Sequence, residues 1–193
     1  GFPIPTEAEV RSVIGPPFEL GLPAIGIPDD ALERVIDRYR VRYAATGAYE
    51  NTLYDGVIEM LDALAASGLS LSVATAKPEV TAHPILDHFG ISDRFDVRAG
   101  ATLTSERRTK SQVIDHALLE LDIHGDPDLA DHVIMVGDRD HDVHGAMHHG
   151  IACIGVTWGY GSIEELLGAG AVALAEHPLD VVELAHQSYR WRD

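Results

Sequence analysis

The chain has 193 residues, 23% of them charged and 46% hydrophobic, a composition of folded soluble domains rather than disordered segments. Fourteen basic residues against 31 acidic ones give a net charge of −17, and the longest basic cluster is Arg107-Arg108, which argues against nucleic acid and anionic membrane as partners. The single cysteine, Cys153, excludes an internal disulfide and a cysteine-based zinc site. No apolar run reaches membrane-spanning length and the opening GFPIPTEAEV is unlike a signal peptide, so a cytoplasmic location is expected.

Residues 1–48 read as helical with Pro/Gly interruptions. Thr6 and Glu9 have the spacing of a capping box opening a short helix, which Gly15-Pro16-Pro17 should end. A Pro/Gly-rich loop is expected through Pro28. Asp29 or Asp30 should then cap a longer helix, with Leu32, Val35, Ile36, Tyr39 and Tyr43 on one stripe and Gly47 as its stop. One apolar stripe of this size needs something to pack on.

From Tyr49 onward, strands alternate with helices. Val57, Met60, Leu61 and Leu64 mark a helix stopping at Gly68, and Leu69–Thr75 a strand. A helix is predicted over Glu79–Phe89, a strand over Arg94–Ala99 and an amphipathic helix over Lys110–Leu121. Val133–Val136 is an unbroken apolar run, as in a strand buried on both faces, with a helix after it to His149. Ile151–Thr157 reads as the next strand, Ser162 with Glu165 as a capping box, Ala171–Ala175 as a last strand and Leu179–Gln187 as a final helix. This alternation predicts an α/β fold with a Rossmann-like parallel sheet covered on both faces.

Ligands of open parallel sheets sit outside the carboxyl ends of the strands. Thr75 ends the first strand, Lys110 heads a helix, Asp138 ends the Val133–Val136 strand and Asp142 follows four residues later. Taken singly, each has a plainer alternative: a strand threonine, a solvated helix lysine outside the core, two acids capping a helix. Together they bring a hydroxyl, an ammonium and two hard oxygen ligands to one edge, a set suited to Mg²⁺.

Several other features are weaker. His141, His144 and His148 share one helical face with His149 beside them, which fits an exposed polar face better than a transition-metal site. Gly168-Ala169-Gly170 begins a dinucleotide-like fingerprint, but it precedes a strand instead of following one. Trp158 and Tyr160 follow a strand and can cover the sheet end or form a substrate platform, and mid-strand Cys153 is expected to be buried and inert.

The segments VATAKP (Val73–Pro78), Lys110 before its amphipathic helix, VGDRDHD (Val136–Asp142) and GIACIGVTWGYGSIEEL (Gly150–Leu166) followed by GAGA together resemble the haloacid dehalogenase superfamily. The resemblance is closest to its phosphoglycolate phosphatase-like branch, whose small helical cap is similar to IGPPF (Ile14–Phe18) and YRVRY (Tyr39–Tyr43). It implies a small α-helical cap over residues 1–48 and an α/β core over 49–193. It also implies a Mg²⁺-dependent phosphatase working through an aspartyl-phosphate on a small phosphorylated metabolite such as phosphoglycolate, as a monomer or homodimer. A nucleotidase or a phosphotyrosine phosphatase is the near alternative.

In that scheme Thr75, with Ala76 beside it, and Lys110 bind the phosphoryl group, and Lys110 also holds the nucleophile. Asp138 is a direct metal ligand and Asp142 a further one, direct or through water. Arg40 or Arg42 reaches a remote anionic group of the substrate; residues two apart on a helix point about 200° apart, so one of them at most faces a pocket, with Arg40 favoured. The family's first motif, an apolar strand ending in Asp-x-Asp-Gly-Thr, has no match: Asp126-Pro127-Asp128 lacks the strand and Asp55-Gly56 lacks the first Asp. The chain is therefore expected to begin inside the cap, with the nucleophile on a preceding segment. A catalytically silent Mg²⁺- or phosphate-binding relative is the alternative.

Overall fold

The computed structural model describes residues 2, 4–13, 18–104 and 106–187, and the chain divides into two compact units, Gly1–Asn51 and Thr52–Asp193. The first is all helical: α1 (Glu7–Ser12), α2 (Phe18–Ala24), α3 (Asp29–Ala45) and a 3₁₀ turn at Gly47–Tyr49. Thr6 N donates to Glu9 Oε2 and Glu9 N to Thr6 Oγ1, which is the reciprocal capping box. The Gly15-Pro16-Pro17 stop lies outside the described residues.

Where a loop is expected through Pro28, α2 forms instead. Its Gly21 is buried against Val13, so tertiary packing outweighs the poor helix propensity of Gly21 and Pro23. Pro28, not an aspartate, is the N-cap of α3; Asp29 and Asp30 occupy the first turn, where negative charge complements the helix dipole. Thr46 rather than Gly47 ends α3, with its N–H and hydroxyl both donating to Arg42 O. The aromatic stripe packs on itself, Phe18 edge-on to Tyr39 at 4.7 Å and Tyr39 stacked on Tyr43 at 5.4 Å.

The second unit runs α4 (Val57–Ala66), β1 (Ser72–Pro78), α5 (Glu79–His88), β2 (Val97–Ala101), α6 (Lys110–Glu120), α7 (Leu129–His132), β3 (Ile134–Gly137), α8 (Asp140–His148), β4 (Ala152–Val156), α9 (Ile163–Ala169), β5 (Ala173–Ala175) and α10 (Pro178–Gln187). All strand pairs are parallel, but they form two sheets, β1-β2 and β3-β4-β5, and β1 is not hydrogen-bonded to β3. Both nevertheless rest on one core: Ala74 of β1 and Met135 of β3 pack against the cluster of Ile114, Leu118, Val143, Ala146, Cys153 and Leu166.

Boundaries shift where a helix end takes residues that read as strand. Leu69 belongs to the cap of α4, because Gly68 turns left-handed (φ 82°) and Leu69 N donates back to Leu64 O, so β1 starts only at Ser72. A 3₁₀ turn at Ser92–Arg94 likewise delays β2 to Val97. Asp126-Pro127-Asp128 is a turn into the unforeseen α7, with Asp128 N donating to Asp126 Oδ1. Gly170 is the left-handed end of α9 (φ 102°), so the fingerprint-like Gly168-Ala169-Gly170 is a helix stop.

Neighbouring leucines of α9 test this core. Leu166 is fully buried and Leu167 is 53% exposed, so Leu166→Ala should cost about 2–5 kcal/mol in urea unfolding. Leu167→Ala should stay within about 0.5 kcal/mol, and equal losses would show that α9 is placed with the wrong face inward.

Candidate active site

The site is built at the carboxyl ends of β1 and β3. Asp142 lies three residues beyond the N-cap Arg139 of α8, where its Oδ2 accepts hydrogen bonds from the backbone N–H groups of Asp138 and Arg139, each at 3.1 Å. The acid therefore does cap its helix, and in doing so it fixes the backbone of Asp138. Gly137 makes this possible, since a Cβ there would sit 2.3 Å from Asp142 Cβ.

The other oxygen of Asp142 faces Lys110. Lys110 Nζ is 2.8 Å from Asp142 Oδ1 while its directed hydrogen bond goes to Ala74 O at 2.7 Å; both side chains are more than nine-tenths buried. Sequence reasoning expects Lys110 outside the core, but the structure buries it. Thr109 caps α6 through a reciprocal bond with Gln112, which sets Lys110 at the helix start. Its side chain then crosses α8 at Gly145, where a Cβ would meet Lys110 Cγ at 2.5 Å. A buried ammonium needs a countercharge and acceptors, and Asp142 and Ala74 O provide them.

Asp138 is wrapped by the loop after β4. Tyr160 N donates to Asp138 Oδ2 at 2.8 Å and Gly161 N to Asp138 O at 3.0 Å. Gly159 and Gly161 are required for this approach, because a Cβ at either would come within 2.2 Å of Asp138 atoms. Among the described residues Asp138 Oδ1 receives no hydrogen bond, and the buried Asp142 Oδ1 is held by charge alone. The open oxygen of Asp138 fits a cation such as Mg²⁺, which takes one or two carboxylates and fills its remaining positions from water or phosphate, whereas Asp142, expected as a further ligand, has its two oxygens turned to Lys110 and to backbone N–H groups. No group of three or more His, Cys, Asp or Glu side chains gathers around a metal-sized point among the described residues.

Thr75 and Ala76 are half-buried in β1 where its regular pairing with β2 stops, next to the Ala74 carbonyl that holds Lys110. Thr75 Oγ1 accepts from Lys77 N at 3.1 Å, which leaves the hydroxyl proton for another partner. Thr75, Ala76, Lys110, Asp142 and Asp138 thus form one connected constellation. Arg40 and Arg42 belong to the helical unit: Arg42 pairs with Glu50 at 2.7 Å, and Arg40 lines a depression with Glu19, Asp29, Glu33 and Asp37.

Sequence reasoning missed several members. Ser162 accepts from Glu165 N, but the Glu165 carboxylate turns away from that capping box to Arg139 Nε at 2.7 Å and Asp140 N at 3.0 Å. Burial alone would raise the Glu165 pKa, but the bonds from Arg139 and Asp140 outweigh it and hold the carboxyl below its usual range. Tyr54 is another: burial first, then Tyr160 and Asp138, keep its phenol above the ordinary value and protonated. Arg139 stands inside the quoted VGDRDHD run, whereas nothing local marks Tyr54.

Of the remaining candidates, His141 lies beside the constellation, its Nε2 3.7 Å from Asp142 Oδ1, and Tyr160 joins it through its backbone N–H. His144 and His148 are exposed, and His149 Nε2 lies 2.9 Å from Ser111 O. Trp158 packs against the core and Tyr160 is 61% exposed. Cys153 is 1% exposed and burial pushes its thiol up to about 12, so it stays protonated and inert.

A parallel α/β fold that brings a threonine and an acid from its strands together with a lysine and an acid from helix starts is the arrangement of an α/β hydrolase. The family model of haloacid dehalogenase-like hydrolases matches residues 1–156, and the chain belongs to that family. It is similar to the tyrosine-protein kinase PtkA of Mycobacterium tuberculosis, 39% identical over 184 residues, 95% of this chain and 61% of PtkA. It is likewise similar to a 5'-nucleotidase of Pseudomonas aeruginosa, 39% identical over 167 residues, 86% of this chain and 73% of that protein. Among solved structures, that of a predicted phosphatase from Clostridium acetobutylicum superposes with a TM-score of 0.83 at 34% identity, covering 93% of this chain and 82% of that one. The chain thus spans about three fifths of the length of PtkA. No helix among the described residues is long and apolar enough to cross a membrane.

Two outcomes follow from the geometry. Lys110→Ala leaves the Asp142 carboxylate buried without its countercharge and should destabilise the fold by about 3–5 kcal/mol in chemical denaturation. A loss under about 1 kcal/mol would mean that the pair is solvated. Because the Glu165 pKa is lowered in the folded state, its contribution is complete above the unfolded carboxyl pKa and fades as pH falls through the folded one. The stability gap between wild type and Glu165→Gln should therefore be widest near neutral pH and shrink in acid. A gap that does not change with pH would remove the charge interaction.

Proposed function

We propose that this protein is a Mg²⁺-dependent phosphatase for phosphate monoesters, acting through an aspartyl-phosphate. The observation that carries the reading is the Lys110 ammonium held between Ala74 O and Asp142 Oδ1, directly beside Thr75 and Asp138 in the chain of contacts. A phosphoryl group in transfer spreads negative charge over its oxygens, so fixed donors and cations provide most of the catalysis. In this reading Thr75 donates its free hydroxyl proton to a phosphoryl oxygen and Lys110 neutralises charge. Asp138 presents its open Oδ1 to the metal, and Asp142 orients both Lys110 and the Asp138 backbone. When bound, Mg²⁺ supplies Lewis-acid polarisation of the phosphoryl oxygens.

No acid among these 193 residues follows an apolar strand in the pattern Asp-x-Asp-Gly-Thr, so none of them is assigned as the nucleophile. Asp55-Gly56 opens α4, with Gly56 as its left-handed N-cap, and Asp126-Pro127-Asp128 opens α7, so both are already committed to helix entries. Among the described residues β1 and β3 each have one edge without a strand partner, with the backbone groups to accept one more parallel strand. A small metabolite such as phosphoglycolate is the leading substrate. The 5'-nucleotidase and PtkA relatives add nucleoside monophosphates and phosphotyrosine as the other classes to test.

The test is hydrolysis of an aryl phosphate and of phosphoglycolate, a nucleoside monophosphate and phosphotyrosine by the protein in its complete native reading frame. Turnover should require Mg²⁺ and fall at least about 100-fold in Asp138→Asn, which removes a charged ligand. Undiminished turnover at unchanged Mg²⁺ would overturn the metal assignment, and phosphate binding without turnover would favour the silent module. Arg40→Ala on the same panel should lose preference for carboxylated esters; an equal effect on every ester would take Arg40 out of substrate choice.

A further inference from the structure

The β1-β2 ladder pairs Ser72 with Val97, Val73 with Arg98, Ala74 with Ala99 and Thr75 with Gly100, and then jumps to Pro78 with Ala101. Ala76 and Lys77 are thus two extra residues in β1 that have no counterpart in β2. Regular pairing holds through Thr75 and Gly100 and breaks off at this bulge, directly after them.

One side chain repairs that point. Glu79, the first residue of α5, accepts the Gly100 N–H at Oε1 (3.1 Å) and receives Arg107 Nη2 at the same oxygen (2.5 Å), with His116 Nε2 3.9 Å away. Gly100 has to be glycine for this, since a Cβ would lie 2.7 Å from Lys77 O and 2.9 Å from Glu79 Cγ. Arg107 comes from the loop that delivers Lys110. Thr102 N donates to Arg107 O and Arg107 N to Thr102 Oγ1, while Arg108 N and Thr109 N both donate to Gln112 Oε1. The Arg107 side chain is 14% exposed and its buried Nε has no partner among the described residues, while Nη2 is held by Glu79.

We propose, on the phosphoryl-transfer reading of the site, that Glu79 and Arg107 are positioning residues: their ion pair locks the Thr75–Lys77 bulge to the loop before Lys110 and so sets the hydroxyl and ammonium donors in register. Neither residue touches the substrate. Each acts through the two donors, one on either side of the bridge.

The experiment compares kcat, KM, the apparent Mg²⁺ requirement and the melting temperature of the native full-length protein with those of Arg107→Ala, Arg107→Lys, Glu79→Ala and the double variant Glu79→Ala/Arg107→Ala. Displaced donors should lower kcat about 10- to 100-fold in either alanine variant, with a smaller change in KM. The Mg²⁺ requirement should stay unchanged, because Asp138 belongs to the other sheet. Arg107→Lys should recover part of kcat, and the double variant should be no worse than the singles. Arg94→Ala, which breaks the remote pair with Asp62 (2.9 Å), is the control and should move only the melting temperature. Wild-type kcat in folded Arg107→Ala, or a loss that merely follows melting temperature as in the control, would overturn the positioning role. If wild type turns over no ester, the phosphatase reading fails by itself and the brace is scored on calorimetric binding of inorganic phosphate. Arg107→Ala should then weaken that binding about tenfold; unchanged binding, or none in wild type, would overturn the brace as well.

Discussion

A buried ammonium organises the strand ends. Lys110 is out of water, and an ion in that position is tolerable only if its charge is matched and its protons are accepted. The acceptor is a carbonyl of one sheet, Ala74 O, and the countercharge is Asp142, at the start of the helix that follows the other sheet. The same contact that satisfies the ion therefore ties β1-β2 to β3-β4-β5, which share no strand-to-strand hydrogen bond. Glycine at 145 admits the lysine stem across α8 and glycine at 137 admits the Asp142 side chain, so two missing side chains make room for two charged ones.

Around this pair stand two partly exposed ion pairs, Arg139–Glu165 on the β3 side and Arg107–Glu79 on the β1 side. Ordinary surface pairs contribute little to stability. These two differ because each carboxylate also takes a backbone N–H, of Asp140 in one case and of Gly100 in the other. Each pair thereby fixes a loop as well as a charge. The loops so fixed carry Asp138 and Tyr160 on one side, Thr75 and Lys110 on the other.

Alternating periodicity made the order of strands and helices legible, and the carboxyl-end rule singled out Thr75, Lys110, Asp138 and Asp142 before any geometry was known. What periodicity does not register is a competition for the same residues. Leu69 reads as strand but closes the cap of α4, and Glu165 reads as the partner of Ser162 but reaches Arg139 and Asp140. Lys110 reads as a solvated helix start, since the glycine that lets it lie buried is 35 positions away in sequence. The bulge at Ala76-Lys77 was hidden for a related reason: a two-residue slip in register leaves no trace in one strand's own pattern.

Charge at the strand ends bears on how an anionic ester is held. The cations there are Lys77, Arg107, Lys110 and Arg139; the carboxylates are Glu79, Asp138, Asp140, Asp142 and Glu165, one more in number. Arg107, Lys110 and Arg139 are each already matched by a carboxylate within 2.8 Å. A phosphate monoester approaching this edge of a chain with net charge −17 meets directed donors but no surplus of positive charge. Donors alone orient an anion without neutralising it, and the charge that grows on the phosphoryl oxygens during transfer still needs an opposite one close by. On the phosphatase reading that charge comes from a divalent cation at Asp138 Oδ1, which receives no hydrogen bond among the described residues. On that reading Arg107 and Arg139 serve to place loops, and Lys110, already half-matched by Asp142, adds to the charge of the metal without replacing it.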